Sequence, residues 1–262
     1  MTLATIDKAL CDREGACIDS CPHVLFLRGE DGFPVERQDA ASLCIRCGQC
    51  VSVCARGALT NHLLEGQEFL EKSALASAED PLAYAMKTRR SVRAFKGRSV
   101  DKAVLASLFD VVRHAPTANN SQKLWWIVAL ERETTRSLAA LGLDWLRNTY
   151  YRDGLGKAWE GDADPVLRGA PHLVLCCAPE DYRWACIDCA IAVTHLELLA
   201  ASRGLGTCWT GVFLQALEAW PPLAEALGLP PGQKVFGGLT LGYPRFEHRL
   251  VPPRKPVAVN WR

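Results

Sequence analysis

The sequence lacks an excess of charge of either sign. Thirty Lys and Arg face 29 Asp and Glu, leaving a formal net charge of +1. A general nucleic-acid or membrane-surface binder needs a one-sign field, so neither is expected. A secretory signature is also missing, because the first residues, MTLATIDKAL, hold neither a basic stretch nor an apolar one. The longest apolar run, around Leu173 to Ala178, is far short of the roughly 20 residues that cross a bilayer. A cytoplasmic protein is therefore expected. There is no internal repeat, no low-complexity tract and no convincing acid–base triad. Cysteine is absent between Cys54 and Cys176.

Elsewhere cysteine is abundant, with 12 in 262 residues. Seven lie before residue 55 and five lie from Cys176 onward. Clustered cysteines in a chain without an export signal point to metal rather than disulfides. The length suits one small and one medium domain, each with its own core. Residues 1–62 form the cysteine module, with more acidic than basic residues. Residues 63–80 form a linker that is partly helical, and residues 81–262 form the larger domain.

Within that larger domain, Asp80-Pro81 marks a helix start, with Asp80 as N-cap and Pro81 at the first helical position. The helix is expected to reach about Thr88. A second helix fits 101–114, where Val104, Leu105, Leu108, Val111 and Val112 recur at helical spacing. Leu124 to Leu130, Leu173 to Ala178 and Phe236 to Leu241 read as strands. The stretch from Ala185 to Arg203 is apolar nearly all round and is followed by Gly204 as a C-cap. Such a helix belongs in a core or a subunit interface. The tail from Tyr243, rich in Pro and Arg, reads as an extended arm.

Cys44, Cys47, Cys50 and Cys54 are spaced C-x2-C-x2-C-x3-C, the run that ligates 4Fe–4S clusters, with the fourth Cys serving the other cluster of a pair. A zinc site fits less well, since zinc typically takes two separated pairs. Cys11, Cys17 and Cys21-Pro22 match the outer positions of a first copy, but position 14 is Glu14. Residues 1–62 thus resemble bacterial two-cluster ferredoxins, with Glu14 as the departure. Crossed ligation gives one 4Fe–4S site from Cys21, Cys44, Cys47 and Cys50. The other has Cys11, Cys17 and Cys54 as its thiolates. Three outcomes stand there: a 3Fe–4S cluster, an atypical 4Fe–4S cluster with an oxygen ligand from Glu14 or water, or no stable cluster. Occupancy is the expectation.

Arg89-Arg90-Ser91-Val92-Arg93 concentrates three guanidiniums and a hydroxyl, which suits a phosphate. RRSVRAF, APTANNSQ at 115–122, LRGAPHLVL at 167–175 and LLAASRGLGTCWTGVF at 198–213 follow in order, then PPRKP at 252–256. Together they resemble the nitroreductase family of FMN enzymes over nearly all of 81–262. The resemblance implies that Arg89, Arg90, Ser91 and Arg93 hold the FMN phosphate and ribityl chain. It places Pro116, Thr117, Asn120 and Gln122 on the flavin ring edge, often from the partner subunit. It brings Trp209, Thr210 and Gly211 past the flavin N5 and gives Arg254, assisted by Lys255, to the phosphate. Lys123 stands where the family usually has Pro, which puts the local turn in question.

The remaining candidates have plainer readings. Cys176, Cys177, Cys186 and Cys189 read as core, Cys208 as packing beside the flavin loop, and His195 as a hydrogen-bonded interface residue. Residues 144–164, with Trp145, Tyr150, Tyr151, Arg152 and Trp159, read as a lid over the substrate pocket. The whole implies an α+β protein: a small ferredoxin-like domain fused to an FMN-dependent nitroreductase-like α+β domain, working as a homodimer. Electrons would pass from an external donor, a ferredoxin or a nicotinamide-linked one, through the clusters to FMN and on to a nitroaromatic- or quinone-like acceptor. Two alternatives stand beside it: a flavin dehydrogenase running in reverse, and a non-enzymatic redox sensor or electron carrier.

Overall fold

A computed structural model describes residues 2–78, 80–149 and 164–262. The chain divides into two compact units, Met1–Thr88 with Phe246–Arg262, and Arg89–Arg245. The C-terminal arm and the first helix of the expected flavin domain thus fall with the cysteine module.

The cysteine-bearing unit is built from short pieces. Strand β1 (Ala4–Ile6) precedes helix α1 (Ala16–Asp19), strands β2 (Phe26–Arg28) and β3 (Pro34–Glu36), and helices α2 (Ala40–Leu43) and α3 (Gln49–Val53). Strand β4 (Leu59–Asn61) follows and pairs antiparallel with β1, while β2 pairs with β3. Leu3, Leu25, Phe26, Ala40 and Leu59 form its small core, together with the buried Cys17, Cys21 and Cys50. So small a core is marginal on its own. After it come β5 (Leu70–Glu71), α4 (Lys72–Ala78) and α5 (Pro81–Thr88). Asp80 caps α5 as the sequence suggests, its Oδ1 accepting from the Leu82 and Ala83 amides at 3.0 Å.

The second unit is a four-stranded antiparallel sheet flanked by helices. Its elements are α6 (Lys102–Val112), β6 (Trp125–Ala129), α7 (Arg132–Asn148), β7 (His172–Pro179), α8 (Ala185–Ser202), β8 (Gly206–Trp209), α9 (Gly211–Ala219), α10 (Pro221–Leu227) and β9 (Gln233–Gly242). The sheet order is β6-β7-β9-β8. Strand β7 is buried along nearly its whole length, which explains its unbroken apolar run. Beyond β8, Ser91 forms a parallel bridge with Thr207, and the Val92 amide donates to the Thr207 carbonyl at 2.8 Å. The RRSVR segment is thereby fixed to the sheet edge.

Helix α8 packs on β7 and β9 and shares a core with α6. It alone among the described helices is long and apolar enough to cross a membrane by composition, yet Val193, Leu196 and Ala200 are fully buried within the chain. Gly204, at φ +73°, ends it: the Leu205 amide donates back to the Ala200 carbonyl at 2.9 Å. The expectation for its cysteines needs one correction. Cys189 is buried and Cys186 is exposed, because Cys186 lies on the face turned from the sheet, with Ile187 and Ala190. Cys176 and Cys177 are core, as expected. The chain then returns to the first unit, where β10 (Leu250–Val251) pairs antiparallel with β5. Residues 252–262 have no regular structure.

Candidate functional site

The seven module cysteines sort into two groups in space. Burial pushes the Cys50 thiol up to about 12, and the neighbours that add to this are Cys47, Cys21 and Cys44. Burial likewise pushes Cys17 up to about 12, and its neighbours are Cys54 and Cys11. These are the two sets that crossed ligation assigns. Cys21, also raised by burial, answers to Cys47 and Cys44. Cys21, Cys44, Cys47 and Cys50 wall a common cavity.

The local backbone is arranged around sulfur. Gly48, at φ +70°, opens α3, and a Cβ there would come within 2.8 Å of Pro252. Arg46, between Cys44 and Cys47, is left-handed at φ 53°, and its amide points at Cys44 Sγ at 3.4 Å. The Leu25 amide donates to Cys21 Sγ at 3.4 Å and the Ala58 amide to Cys54 Sγ at 3.2 Å. Asn61, nearly fully buried, presents its Nδ2 at 3.9 Å to both Cys44 and Cys50.

These donors suit iron–sulfur ligands. Buried thiols that repel one another as thiolates need a compensating positive charge, which iron supplies. Among the described residues no three His, Cys, Asp or Glu converge on a point as a single ion requires. A cubane places each thiolate on a different iron, so its ligands need not converge. Glu14 is exposed, and its amide donates to Asp12 Oδ1 at 3.2 Å.

In the second unit the flavin candidates fall in two places. Arg89, Arg90, Ser91 and Arg93 are half-buried beside β8. Arg90 donates to the Arg89 carbonyl and Arg93 to the Ser91 carbonyl. Trp209 ends β8, Thr210 is buried with no partner for its hydroxyl, and Gly211 opens α9. The Thr210 hydroxyl packs beside Gly238 of β9, where an added Cβ would come within 3.0 Å of it. Cys208 is half-buried beside it.

The 116–122 loop lies elsewhere. Pro116, Asn120 and Gln122 are exposed and Thr117 is half-buried. Asn119, Asn120 and Gln122 all have positive φ, at 54°, 51° and 47°. Asn tolerates that region and Gln does so rarely, so the loop is held. Thr117 Oγ1 accepts from the Gln122 amide and Asn120 Oδ1 from Gln122 Nε2, both at 3.1 Å. Arg254 and Lys255 are exposed and belong to the other compact unit. Most of the expected lid, including Tyr150, Tyr151, Arg152 and Trp159, lies outside the described residues, while Trp145 is buried in α7.

Residues 86–243 match the model of the nitroreductase family. The chain belongs to that family. Residues 10–59 match the model of a 4Fe–4S dicluster domain. The chain is 28% identical over 160 residues to a putative NADH dehydrogenase/NAD(P)H nitroreductase of Archaeoglobus fulgidus, covering 61% of this chain and 83% of that one. It is 25% identical over 203 residues to a 4-nitrobenzoate reductase of Pseudomonas putida, covering 64% and 88%. A solved nitroreductase with bound FMN from Desulfitobacterium hafniense shares the fold at a TM-score of 0.60 and 22% identity, over 70% of this chain and 99% of that one. The protein is accordingly an FMN-dependent oxidoreductase of the nitroreductase family with an iron–sulfur ferredoxin-like domain ahead of it.

The family motifs do not show what holds these segments, and sequence reasoning missed it. Two carboxylates on α8 are buried, Asp188 and Glu197. Asp188 accepts the Ala118 amide at 3.1 Å and the Tyr182 hydroxyl at 2.6 Å, and Tyr182 also meets Ser121 Oγ at 2.6 Å. Burial and then Asp188 raise the Tyr182 phenol above its ordinary value, so Tyr182 stays a donor. Lys123, the departure from the family's Pro, sits over the Tyr182 ring at 5.0 Å. Glu197 pairs with Arg89 at 3.1 Å. The two acids are nine positions apart, so the loop and the cradle are anchored about 14 Å apart along the helix.

Proposed function

We propose that this protein reduces a small organic acceptor, nitroaromatic- or quinone-like, with electrons from an external donor delivered through its clusters. The carrying observation is that the seven module cysteines separate into the two sets expected of cluster ligands in a chain whose other domain is nitroreductase. Cys21, Cys44, Cys47 and Cys50 would ligate a 4Fe–4S cluster. Cys11, Cys17 and Cys54 would hold a second cluster, 3Fe–4S or an atypical 4Fe–4S with Glu14 or water as the oxygen ligand. When bound, the clusters carry single electrons, and FMN exchanges one or two, which lets the chain join a one-electron donor to a two-electron acceptor.

The chain's own residues would bind and orient the flavin. Arg89, Arg90, Ser91 and Arg93 would take its phosphate and ribityl chain, with Arg254 and Lys255 from the C-terminal arm. Trp209, Thr210 and Gly211 would line the ring near N5. Pro116, Thr117, Asn120 and Gln122 would close the ring edge of the partner subunit's site, in a homodimer. The exposed face of α8, with Cys186, Ile187, Ala190, Thr194 and His195, supports such an interface. The names of the Archaeoglobus and Pseudomonas relatives favour a nitroaromatic acceptor and leave a nicotinamide as an alternative donor to ferredoxin. A cytoplasmic setting agrees with these readings.

The test is anaerobic stopped-flow reduction of the flavin by reduced ferredoxin in the full chain and in Cys47→Ser. Loss of the cluster should slow that reduction roughly tenfold or more, since the fused module supplies a high local concentration of electrons. Dithionite should still reduce the flavin. Equal rates with ferredoxin would mean that the clusters are not the inlet, and a sensor would become the better reading. Removing residues 1–77 is a poorer test, because β10 would lose its partner β5.

A further inference from the structure

We propose that Glu197 is a positioning residue of the flavin site: one buried carboxylate orients both the phosphate-binding Arg89 and the N5-side Trp209. The inference rests on the assignment of those two residues to the flavin.

An ionised carboxylate in a core is costly unless it is paired. Glu197 lies on α8 between the fully buried Leu196 and Ala200, and its side chain is 7% exposed. Burial accordingly raises its pKa, and Arg89, followed by the Trp209 indole, acts in the opposite direction. Both partners come from outside α8. Arg89 opens the RRSVR segment, and Trp209 ends β8.

The pairing leaves Arg89 suited to a second ligand. Its Nη1 bonds Glu197 Oε1 at 3.1 Å, while its side chain stays 29% exposed. A guanidinium is planar, so fixing one edge fixes the direction of the other donors. An anion meets that edge already aimed, and the side-chain entropy that binding would otherwise cost is largely lost beforehand. Trp209 is held from two sides. Its indole lies near enough to Glu197 to favour the ionised carboxylate, and its ring lies against Gly237, where a Cβ would come within 3.4 Å. Trp209 is nonetheless 39% exposed, with a free surface beside the loop that carries Thr210. A single carboxylate thus ties the two ends of the expected FMN site into one unit.

The measurement uses the full chain, stripped of flavin and titrated with FMN and with riboflavin, which lacks the phosphate. Quenching of flavin fluorescence reports both affinities, and thermal denaturation reports stability. Glu197→Ala should lower the preference for FMN over riboflavin about tenfold, the scale of one charge-assisted hydrogen bond. It should also shift the visible spectrum of the bound flavin as Trp209 loses its anchor. Glu197→Gln keeps an acceptor for both partners and should recover part of that preference. In an Arg89→Ala background Glu197→Ala should have no further effect on it.

An unchanged preference in both Glu197 variants would overturn the proposal, whatever their stability. If Glu197→Ala does not fold, Glu197→Gln alone decides, and a wild-type preference and spectrum in it would be fatal. If Arg89→Ala keeps the wild-type preference, the phosphate assignment itself fails, and the proposal falls with it. That result is separable, because it appears without touching Glu197.

Discussion

Gly206 offers a direct test of how the phosphate cradle is held. It opens β8, next to Thr207, which bridges Ser91. A Cβ built on Gly206 would lie 2.7 Å from Val92 Cγ2 and 2.8 Å from both its Cβ and Cγ1. Carbon atoms prefer about 3.5–4.0 Å, so the segment must retreat by roughly 0.7–1 Å. Rotation cannot relieve the clash, because the Val92 Cβ is itself too close and a β-branched side chain is stiff at χ1. The retreat stretches the 2.8 Å bond from the Val92 amide to the Thr207 carbonyl and carries Ser91 away from the sheet edge.

Overpacking of this kind costs about 1–3 kcal/mol. For a folded unit of this size, that is a fall in Tm of roughly 3–10 °C. Gly206→Ala should therefore melt earlier and bind FMN more weakly, as read by calorimetry and by fluorescence of released flavin. Val92→Ala removes two of the three contacts and should partly rescue both properties. The expected coupling between the two substitutions is about 1 kcal/mol, well above the additivity of distant sites. A Gly206→Ala protein with unaltered Tm and flavin content, and no coupling to Val92, would refute the reasoning.

Three further outcomes are expected. Asn61→Val removes the side-chain donor to Cys44 and Cys50; because donors to sulfur favour the more negative, reduced cluster, its potential should fall by about 20–60 mV. An EPR-monitored redox titration with an unmoved midpoint would contradict that. Asp188→Ala should speed hydrogen exchange at the Ala118 amide and lower thermal stability, while Asp188→Asn, which keeps an acceptor oxygen, should recover most of both; equal behaviour of the two variants would count against the Asp188 anchor. Glu197 has its pKa raised in the folded chain, so its contribution to stability is fullest below the ordinary value of 4.5 and is lost as pH rises through the folded value. Wild type should then lose stability relative to Glu197→Gln as pH climbs from 4.5, and parallel denaturation curves would reject the shift.

Where the chain alone decides an element, the sequence is a good guide. The helix from Pro81 to Thr88 ends where expected, because its cap and its first proline are local. Strands β6, β7 and β9 overlap the expected apolar runs; β7 and β9, which lie between neighbours, need apolar side chains on both faces. The spacing also groups Cys21 with Cys44, Cys47 and Cys50, which wall one cavity in the fold. The pairing of β5 with β10 was not legible. Each has two residues, and their register is set by contact between segments about 180 residues apart in the chain.

Helix α8 shows why hydropathy misleads at a functional site. By composition it is apolar nearly all round, which suggests burial on every side. In the fold Ile187 is 53% exposed while Asp188 and Glu197 are 2% and 5% exposed. The acids are inside because partners reach them there: an amide and a phenol for Asp188, and for Glu197 a half-exposed guanidinium, with the Trp209 indole close by. Those partners come from segments up to 108 positions away, so no local pattern in the sequence marks them. A carboxylate buried this way contributes little net stability compared with a well-packed apolar side chain. What it does provide is direction, because each partner is held at one orientation. Both acids hold segments that the family motifs assign to the flavin, and the apolar atoms they displace from the core reappear on the outer face of the same helix. That outer face, with Cys186, Ile187 and Ala190, is the one the proposed homodimer would use.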